Sequence, residues 1–549
     1  MGAIADAFAT AWRDFNTVGV PSSGPFKPIK SVIRALGALV ESAKNHIFAL
    51  DDAHALPIKT WHVMNQVPSL LSWTGATISA DPAVNTAAFN AMIGDINARG
   101  RAEFKVPSGE IPVYGALNMT GDNLRMCASG SASTIFNQGN PASDLLVVNG
   151  GSVSIENLCL YVPGATAGTA LKWQGDKGKT HGLQILEAWV GFGQSHSGVF
   201  NATGWELFNT KYSALFLHDD VQGFTLSGAT IASGDPTHGS AGLIRMEGFV
   251  SAPRLTNVEV LGGYRSLVLS GPSLVNELTN PLYGVLTSCF FDGAARESIV
   301  ENTLQFEFVG VEFSGGRTGP GYDALSLLGN RGARFIGGKA AQAGRHGVAY
   351  GDNNHSATFL GFDTVNNGYT DANGRGFSFA DNAKGYQVIG GQSGNGYYST
   401  GLGQKYGVVI GAGCEGLIMG LDVRNNDTAP ILNNSTSPKM QIIGCLGGES
   451  YERHSIGGGT PLTGILSGST IWNPASLADG ASATTTVTVT GAAPGDTAVA
   501  SMTTILAAGW AISATVTAAD TVSVVIQNRT GGTVDLASGT LKALVTKTA

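Results

Sequence analysis

Along the middle of this chain one short pattern returns: two or three apolar residues, a Gly, Asn or Ser, then a second alternating triplet. It reads Phe224-Thr-Leu-Ser-Gly228-Ala-Thr-Ile231, Phe306-Glu-Phe-Val-Gly310-Val-Glu-Phe313, Ala357-Thr-Phe-Leu-Gly361-Phe-Asp-Thr364 and Gly416-Leu-Ile-Met-Gly420-Leu-Asp-Val423. Taken as anchors, the small residues fall at Gly228, Asn257, Ser288, Gly310, Gly337, Gly361, Gly390, Gly420 and Gly444, so eight steps cover 216 residues, 27 to a step. A repeat of that length buries its apolar face only against its neighbours. Three short strands at about 3.3 Å per residue, with turns between them, fill it. A strand–helix–strand alternation needs a long amphipathic segment between anchors, and Gly and Asn punctuate the intervals too densely for one. The fold class expected is mainly β: a right-handed parallel β-helix over residues 151–450.

The anchor has a mechanical role. A chain turning sharply between two strands needs one residue at positive φ, which Gly and Asn adopt at least cost. Leu226, Leu255, Leu286, Phe308, Phe335, Phe359, Val388, Ile418 and Ile442 each lie two residues before an anchor and should stack as one interior column. Less regular coils are expected upstream, through Val153-Ser-Ile-Glu-Asn157-Leu-Cys-Leu160 and Gly182-Leu-Gln-Ile-Leu-Glu-Ala-Trp189.

Composition narrows the partner. With 549 residues, 43% of them apolar, the chain has ample material for a large core. Only 13% of residues are charged, 77 are glycine, and the net charge is −8. A nucleic-acid partner would call for a clustered basic face, and there is no Lys/Arg run. A neutral or sugar-like partner fits better. Met1-Gly2-Ala3-Ile4-Ala5-Asp6 has no basic region followed by an apolar core, which leads to the expectation of synthesis in a cytoplasm. The stretch from Asp496 to Asp520 is interrupted by Ser501, Thr503, Thr504 and Ser513 and suits strands, so no membrane insertion is expected. Cys127, Cys159, Cys289, Cys414 and Cys445 are odd in number and widely spaced, as expected of buried reduced thiols; no metal or cofactor is expected.

The flanks differ in style. Ile4 to Phe15 and Ser31 to Lys44 read as two helices, the second capped by Ser31, with Val32, Ile33, Leu36 and Val40 on one face. Asp81 to Gly100 reads as an amphipathic capping helix, with Ala87, Ala88, Met92 and Ile96 at helical spacing. After it come Val106-Pro-Ser-Gly109 and Leu117-Asn-Met-Thr-Gly-Asp-Asn-Leu. The last 78 residues are rich in Thr, Ala and Val and alternate as antiparallel strands in Thr484 to Thr490, Trp510 to Val516, Asp520 to Ile526 and Thr540 to Val545, with Thr530-Gly-Gly-Thr533 as a hairpin turn. The organisation expected is an N-terminal helical region (1–75), a capping helix and first strands (76–150), the β-helix (151–450), a linker (451–471) and a C-terminal β-sandwich (472–549).

Three stretches carry a resemblance. Asp81 to Gly130 is similar to the start of pectate-lyase-like β-helices, departing from their pattern at Glu110. Trp12-Arg-Asp-Phe-Asn-Thr-Val-Gly-Val-Pro21 through Arg34 resembles the attachment end of phage and prophage tail fibres, and the C-terminal sandwich resembles modules that close such fibres. The resemblance implies a homotrimeric bacteriophage tailspike of the virion tail. Residues 1–50 would dock on a tail or baseplate protein, and the shaft would recognise, and by glycoside hydrolysis depolymerise, a host capsular polysaccharide or lipopolysaccharide. A spike of the same shape that binds without cleaving, a polysaccharide lyase, and a free pectinase-like enzyme are the rival readings.

In a parallel β-helix, equivalent outward positions on adjacent coils lie about 4.8 Å apart, so coil position replaces motif spacing. Two residues past each anchor the chain should face outward: Thr230, Glu259, Phe290, Glu312, Lys339, Asp363, Gln392 and Asp422. Glu312 and Asp363 lie two coils apart, about 9.6 Å, near the 6.5–9.5 Å that an inverting glycosidase needs between its two carboxyl groups. Glu312, Asp363 and Glu307 are therefore the catalytic candidates, with Arg334, Lys339, Glu259, Tyr369 and Tyr397 as substrate contacts and Arg254 nearby. The bland alternative is a solvated ladder of surface ion pairs, each worth little. Asp292 and His218-Asp219-Asp220 are rival acids, and Tyr264, Tyr322 and Tyr398 further candidates for stacking on sugar rings.

Overall fold

The structure, a computed structural model, describes residues 78–97, 102–272, 279–316, 321–351, 353–396, 403–448, 462–505 and 508–548. Apart from Glu103–Lys105 these belong to one compact unit. The expected helices of residues 1–50, and Tyr397 and Tyr398, lie outside the described residues.

All nine anchors have φ between 51° and 65°. The backbone bends there and returns in register, so the interior column pairs coil by coil: Leu226 with Leu255, then Leu286, Phe308, Phe335, Phe359, Val388, Ile418 and Ile442. Every member is fully buried. Where the column turns aromatic the rings stack face to face: Phe308 on Phe335 at 4.6 Å and Phe335 on Phe359 at 4.8 Å, the planes within 10°. Each such pair contributes about 0.5–1.5 kcal/mol beyond the area it buries.

Each coil has three sides. Strands just before the anchors make a first face and strands just after them a second; both belong to one 21-stranded parallel sheet that continues across the bend. A third face is a separate 13-stranded parallel sheet, one strand per coil from Leu117–Met119 to Ala429–Asn433. Coils upstream of Gly228 turn at Asn157, Gly182 and Gly204, also at positive φ and in the same register. At the corner after the third face, Asn side chains replace strand pairing: Asn330 Oδ1 accepts from Thr303 N at 3.1 Å, and Asn354 Oδ1 from Asn330 N at 2.8 Å.

A solenoid's first coil exposes unpaired backbone groups. Here the helix Pro82–Asn97 covers them. Asp81 Oδ1 accepts from Ala83 N at 2.9 Å and caps it. Thr86 Oγ1 and Asn90 Oδ1 accept from the amides of Tyr114 and Asn118 at 2.9 Å each, and Asn85 Nδ2 donates to Pro112 O at 2.8 Å. Phe89, Met92, Ile93 and Ile96 form its buried face, whereas Ala87, expected there, is exposed.

At the C-terminus two three-stranded antiparallel sheets share one apolar core that includes Val487, Val516, Val524, Leu541 and Val545. The strand Leu462–Trp472 pairs with Gly539–Thr548 and so occupies the second half of the stretch read from sequence as a linker. The expected hairpin at 530–533 is not one: Thr521–Asn528 and Gly539–Thr548 lie in different sheets, and the chain crosses between them. The tight connection is instead between Trp510–Ala518 and Thr521–Asn528, with Asp520 at φ 59°. All five cysteines are thiols; four are buried and Cys127 is partly exposed. No helix among the described residues is long and apolar enough to cross a membrane.

Candidate functional site

The outward column two residues past the anchors forms in the expected register: Thr230, Glu259, Phe290, Glu312, Lys339 and Asp363 are successive partners, and Gln392 bridges to Asp422. Strand alternation sends their neighbours Phe313, Ala340 and Thr364 inward, which turns these side chains to solvent. Lys339 Nζ lies 2.9 Å from Glu312 Oε1. Asp363, one coil further, is half-buried; its Oδ1 accepts from Gln392 N at 2.8 Å. Burial pushes its carboxyl above the usual aspartate range, against the opposing pull of that amide and of Lys339. Asp422 contrasts: Arg424 grips both its oxygens, at 3.0 and 2.7 Å, and holds its carboxyl below the usual range.

Glu307 sits on the first face of the same coil as Glu312, across the Gly310 bend, and pairs with Arg334 at 3.7 Å. Arg254, expected beside it, is two coils away with Val285 between. Glu259 is exposed and separated from Glu312 by Phe290. Tyr369 lies in the turn beyond Asp363–Val365, its amide donating to Ala343 O at 2.9 Å. Tyr264 and Tyr322 hold Arg296 between them, 4.9 and 4.5 Å from their ring centres, so each has a ring face occupied by a guanidinium. Asp292 is paired with Leu261 in the sheet. His218 Nδ1 lies 2.6 Å from Asp219 Oδ2 and its ring stacks on Phe216.

The third face carries a site that the sequence reading missed. Two adjacent outward columns turn small over consecutive coils, one through Ser326, Ala349 and Ser378 and the other through Gly351, Ala380 and Gly411. They leave a cleft of about 560 Å³ rimmed by Leu328 and Leu432. At one end Asp323, 4% exposed in its side chain, takes Arg345 on both oxygens at 2.9 and 2.8 Å. Even so, burial leaves the Asp323 carboxyl above its usual range. His346 and Arg375 are partners on the next two strands. His346 is 7% exposed and its imidazole is pushed down to about 2, by burial and then by Arg375 and Arg345, so it is neutral. The signal was available as Asp323, His346 and Arg375 at matching points of successive coils, on the one face to which the anchor register had not been extended.

Among the described residues no group of three or more His, Cys, Asp or Glu is placed to hold a metal ion. No protein-family model matches the chain, and no curated protein matches it either. Solved structures to which it is similar include two phage tailspikes. One is the tailspike of E. coli bacteriophage HK620 in complex with a pentasaccharide, at 9% identity and TM-score 0.47, covering 89% of this chain and 94% of that one. The other is the Dettilon tailspike, at 10% identity and TM-score 0.42, covering 88% and 95%. The A-module of the Azotobacter vinelandii mannuronan C-5 epimerase AlgE6 is also similar, at 13% identity and TM-score 0.44, covering 69% and 98%.

Proposed function

We propose that this chain is a phage tailspike that lays a host surface polysaccharide, capsular or lipopolysaccharide, along the anchor ridge and hydrolyses a glycosidic bond between Asp363 and Glu312. The observation that carries the reading is the ladder Glu312, Lys339, Asp363, one residue per coil, with one carboxyl tied to a cation and the other half-buried. Asp363, whose proton is held to higher pH by burial, protonates the leaving oxygen. Glu312, beside Lys339, activates water on the opposite side of the bond, and about two coil spacings between them give inversion. Glu307, Arg334, Glu259, Tyr369 and Tyr397 would hold flanking sugars.

The rest of the reading follows from the two ends of the chain. Residues 1–50 dock on the tail or baseplate, and the C-terminal sheets close a homotrimer, for which four exposed apolar side chains on one sheet face, Ile465, Ile471, Val499 and Leu544, are the structural support. The protein would be made in the host cytoplasm and carried in the virion.

The test is to incubate the purified protein with polysaccharide from its host and follow new reducing ends. The wild type should generate them, and Glu312→Gln and Asp363→Asn should each lose about a hundredfold or more in rate. Full cleavage by both variants removes the site. Binding without any cleavage by the wild type leaves the non-hydrolytic spike, a reading favoured by the Glu312–Lys339 ion pair itself, since such a pair also occurs as plain surface structure.

A further inference from the structure

The third-face cleft holds a guanidinium for which no ion pair forms among the described residues. Arg345 is taken up by Asp323, but Arg375 has no carboxylate within ion-pair distance among the described residues. It is half-buried, and its Nη1 donates to Ser378 Oγ at 2.9 Å. Its Nε, and His346 Nδ1 on the adjacent strand, are buried without a hydrogen-bond partner. Placing a cation partly out of water and leaving its donors unmet is unfavourable until an acceptor arrives. Arg345, one coil away, adds to the field, and burial together with Arg345 holds Arg375 below its ordinary range against the weaker opposing pull of Tyr406, Asp371 and Asp323.

We propose that this cleft is a second saccharide site, separate from the ridge, in which Arg375 binds the anionic group, a carboxylate or a phosphate, of an acidic hexose unit. With Nη1 given to Ser378 and Nε closed off from solvent, Nη2 is the donor left to meet an anion from the cleft. The floor suits a sugar behind that anion. Ser326, Ala349 and Ser378 leave a trough roughly three coils, or about 14 Å, long. Asp381 and Asn434 line it with acceptors for ring hydroxyls, and its volume of about 560 Å³ falls within the range of small-ligand sites. A neutral sugar would leave the cation unmet, so the charge selects acidic units. The site lies on the 13-stranded sheet and the ridge on the 21-stranded one, so either can fail without the other.

The test is saturation-transfer NMR on the full chain with three probes: glucuronate, glucose 6-phosphate and glucose. The wild type should transfer saturation to at least one anionic sugar and not to glucose; a preference for glucuronate assigns a carboxylate and a preference for glucose 6-phosphate assigns a phosphate. Arg375→Gln should weaken the anionic signal about tenfold, and Arg375→Lys should restore part of it. Ser378→Leu, which fills the trough and removes the Nη1 hydrogen bond while keeping the Arg375 charge, should abolish it even if Arg375→Gln proves poorly folded. The proposal is overturned if the wild type treats glucose like the anions, or if Arg375→Gln and Ser378→Leu both retain the signal. It is overturned as well if Lys339→Met loses the signal while Arg375→Gln keeps it, which would put the anion on the ridge; reducing-end release by Glu312→Gln and Asp363→Asn is read separately.

Discussion

Lys339 places its Nζ 2.9 Å from Oε1 of Glu312, which stands on the coil before it. The same lysine is one coil from Asp363 on the other side, and there it pulls the carboxyl down against the burial that pushes it up.

Replacing Lys339 by Met therefore moves Asp363 in a known direction. Asp363 loses the charge that lowers its pKa, so its pKa rises further and a general acid at this position stays protonated to higher pH. The alkaline limb of the pH–rate profile should shift upward in Lys339→Met, while unfolding stability changes by about 1 kcal/mol or less because the pair is largely solvated. An alkaline limb that moves downward or stays put would separate Asp363 from the proton donor.

The two glycines of one bend respond to substitution for different reasons. Gly337 sits at φ 61° with nothing within 4 Å of where a Cβ would be, so only the left-handed backbone resists a side chain. Gly337→Asn should be nearly neutral and Gly337→Ala should cost about 1–2 kcal/mol. At Gly338 a Cβ would collide with Val311 O, so the backbone of the preceding coil must shift and Gly338→Ala should cost about 3 kcal/mol. Urea midpoints should fall in the order Gly337→Asn, Gly337→Ala, Gly338→Ala, from most to least stable.

The anchors were legible because one small residue at positive φ per coil is a requirement of the bend, and a required residue leaves a periodic trace. The trace weakens upstream for a physical reason. Ahead of Leu226 the interior column runs through Thr180 and Ala202, and the volume is supplied from elsewhere in the coil by Trp173, Phe192, Phe200 and Trp205. Trp205 Nε1 even donates to Thr180 Oγ1 at 2.8 Å, a polar pair inside the core that no apolar pattern would flag. The third-face cleft was illegible for a related reason: it is made by the smallness of Ser326, Ala349 and Ser378, and small residues in a glycine-rich chain carry no signal until the coils are in register. The expected hairpin at 530–533 failed because a Gly-Gly turn specifies local reversal but not which sheet the next strand joins.

Phe335 lies between Phe308 and Phe359 with rings parallel on both sides and edge contacts to Phe313 and Phe362. Phe335→Ala removes two stacked pairs and opens a cavity that neighbouring strands, fixed by parallel pairing, cannot close. A loss of about 3–5 kcal/mol is expected, with Phe335→Leu costing less than half of that. Denaturant unfolding followed by near-ultraviolet circular dichroism reads it.

In the C-terminal module Val499 and Leu544 are directly paired on the outer face of their sheet and are 57% and 42% exposed. Ile465 and Ile471 extend the same face, at 59% and 79%. If this strip closes the trimer, Val499→Asp with Leu544→Asp should convert a mass near three chains to that of one chain, 56.4 kDa, in light scattering. The module should stay folded, because both side chains point away from the core around Val524 and Leu541. A variant that remains trimeric would place the contact elsewhere.

His346 makes the solenoid acid-sensitive with a sign that can be worked out. Its folded imidazole is held neutral down to about 2, by burial and by the flanking Arg375 and Arg345. In the unfolded chain it titrates near 6.5, so between these values the unfolded state binds one more proton than the folded state. The stability tied to His346 is complete above about pH 6.5 and is lost as pH falls through that value, by at most about 1.4 kcal/mol for each pH unit. Asp323, 4% exposed in its side chain and raised above its usual range, opposes this as pH falls toward the ordinary aspartate range, since its protonation favours the folded state. The apparent melting temperature of the wild type should therefore drop between about pH 6.5 and 4.5. In His346→Gln, which fills the same space without a titrating nitrogen, the slope over that interval should flatten; an unchanged slope would assign the acid sensitivity to other groups.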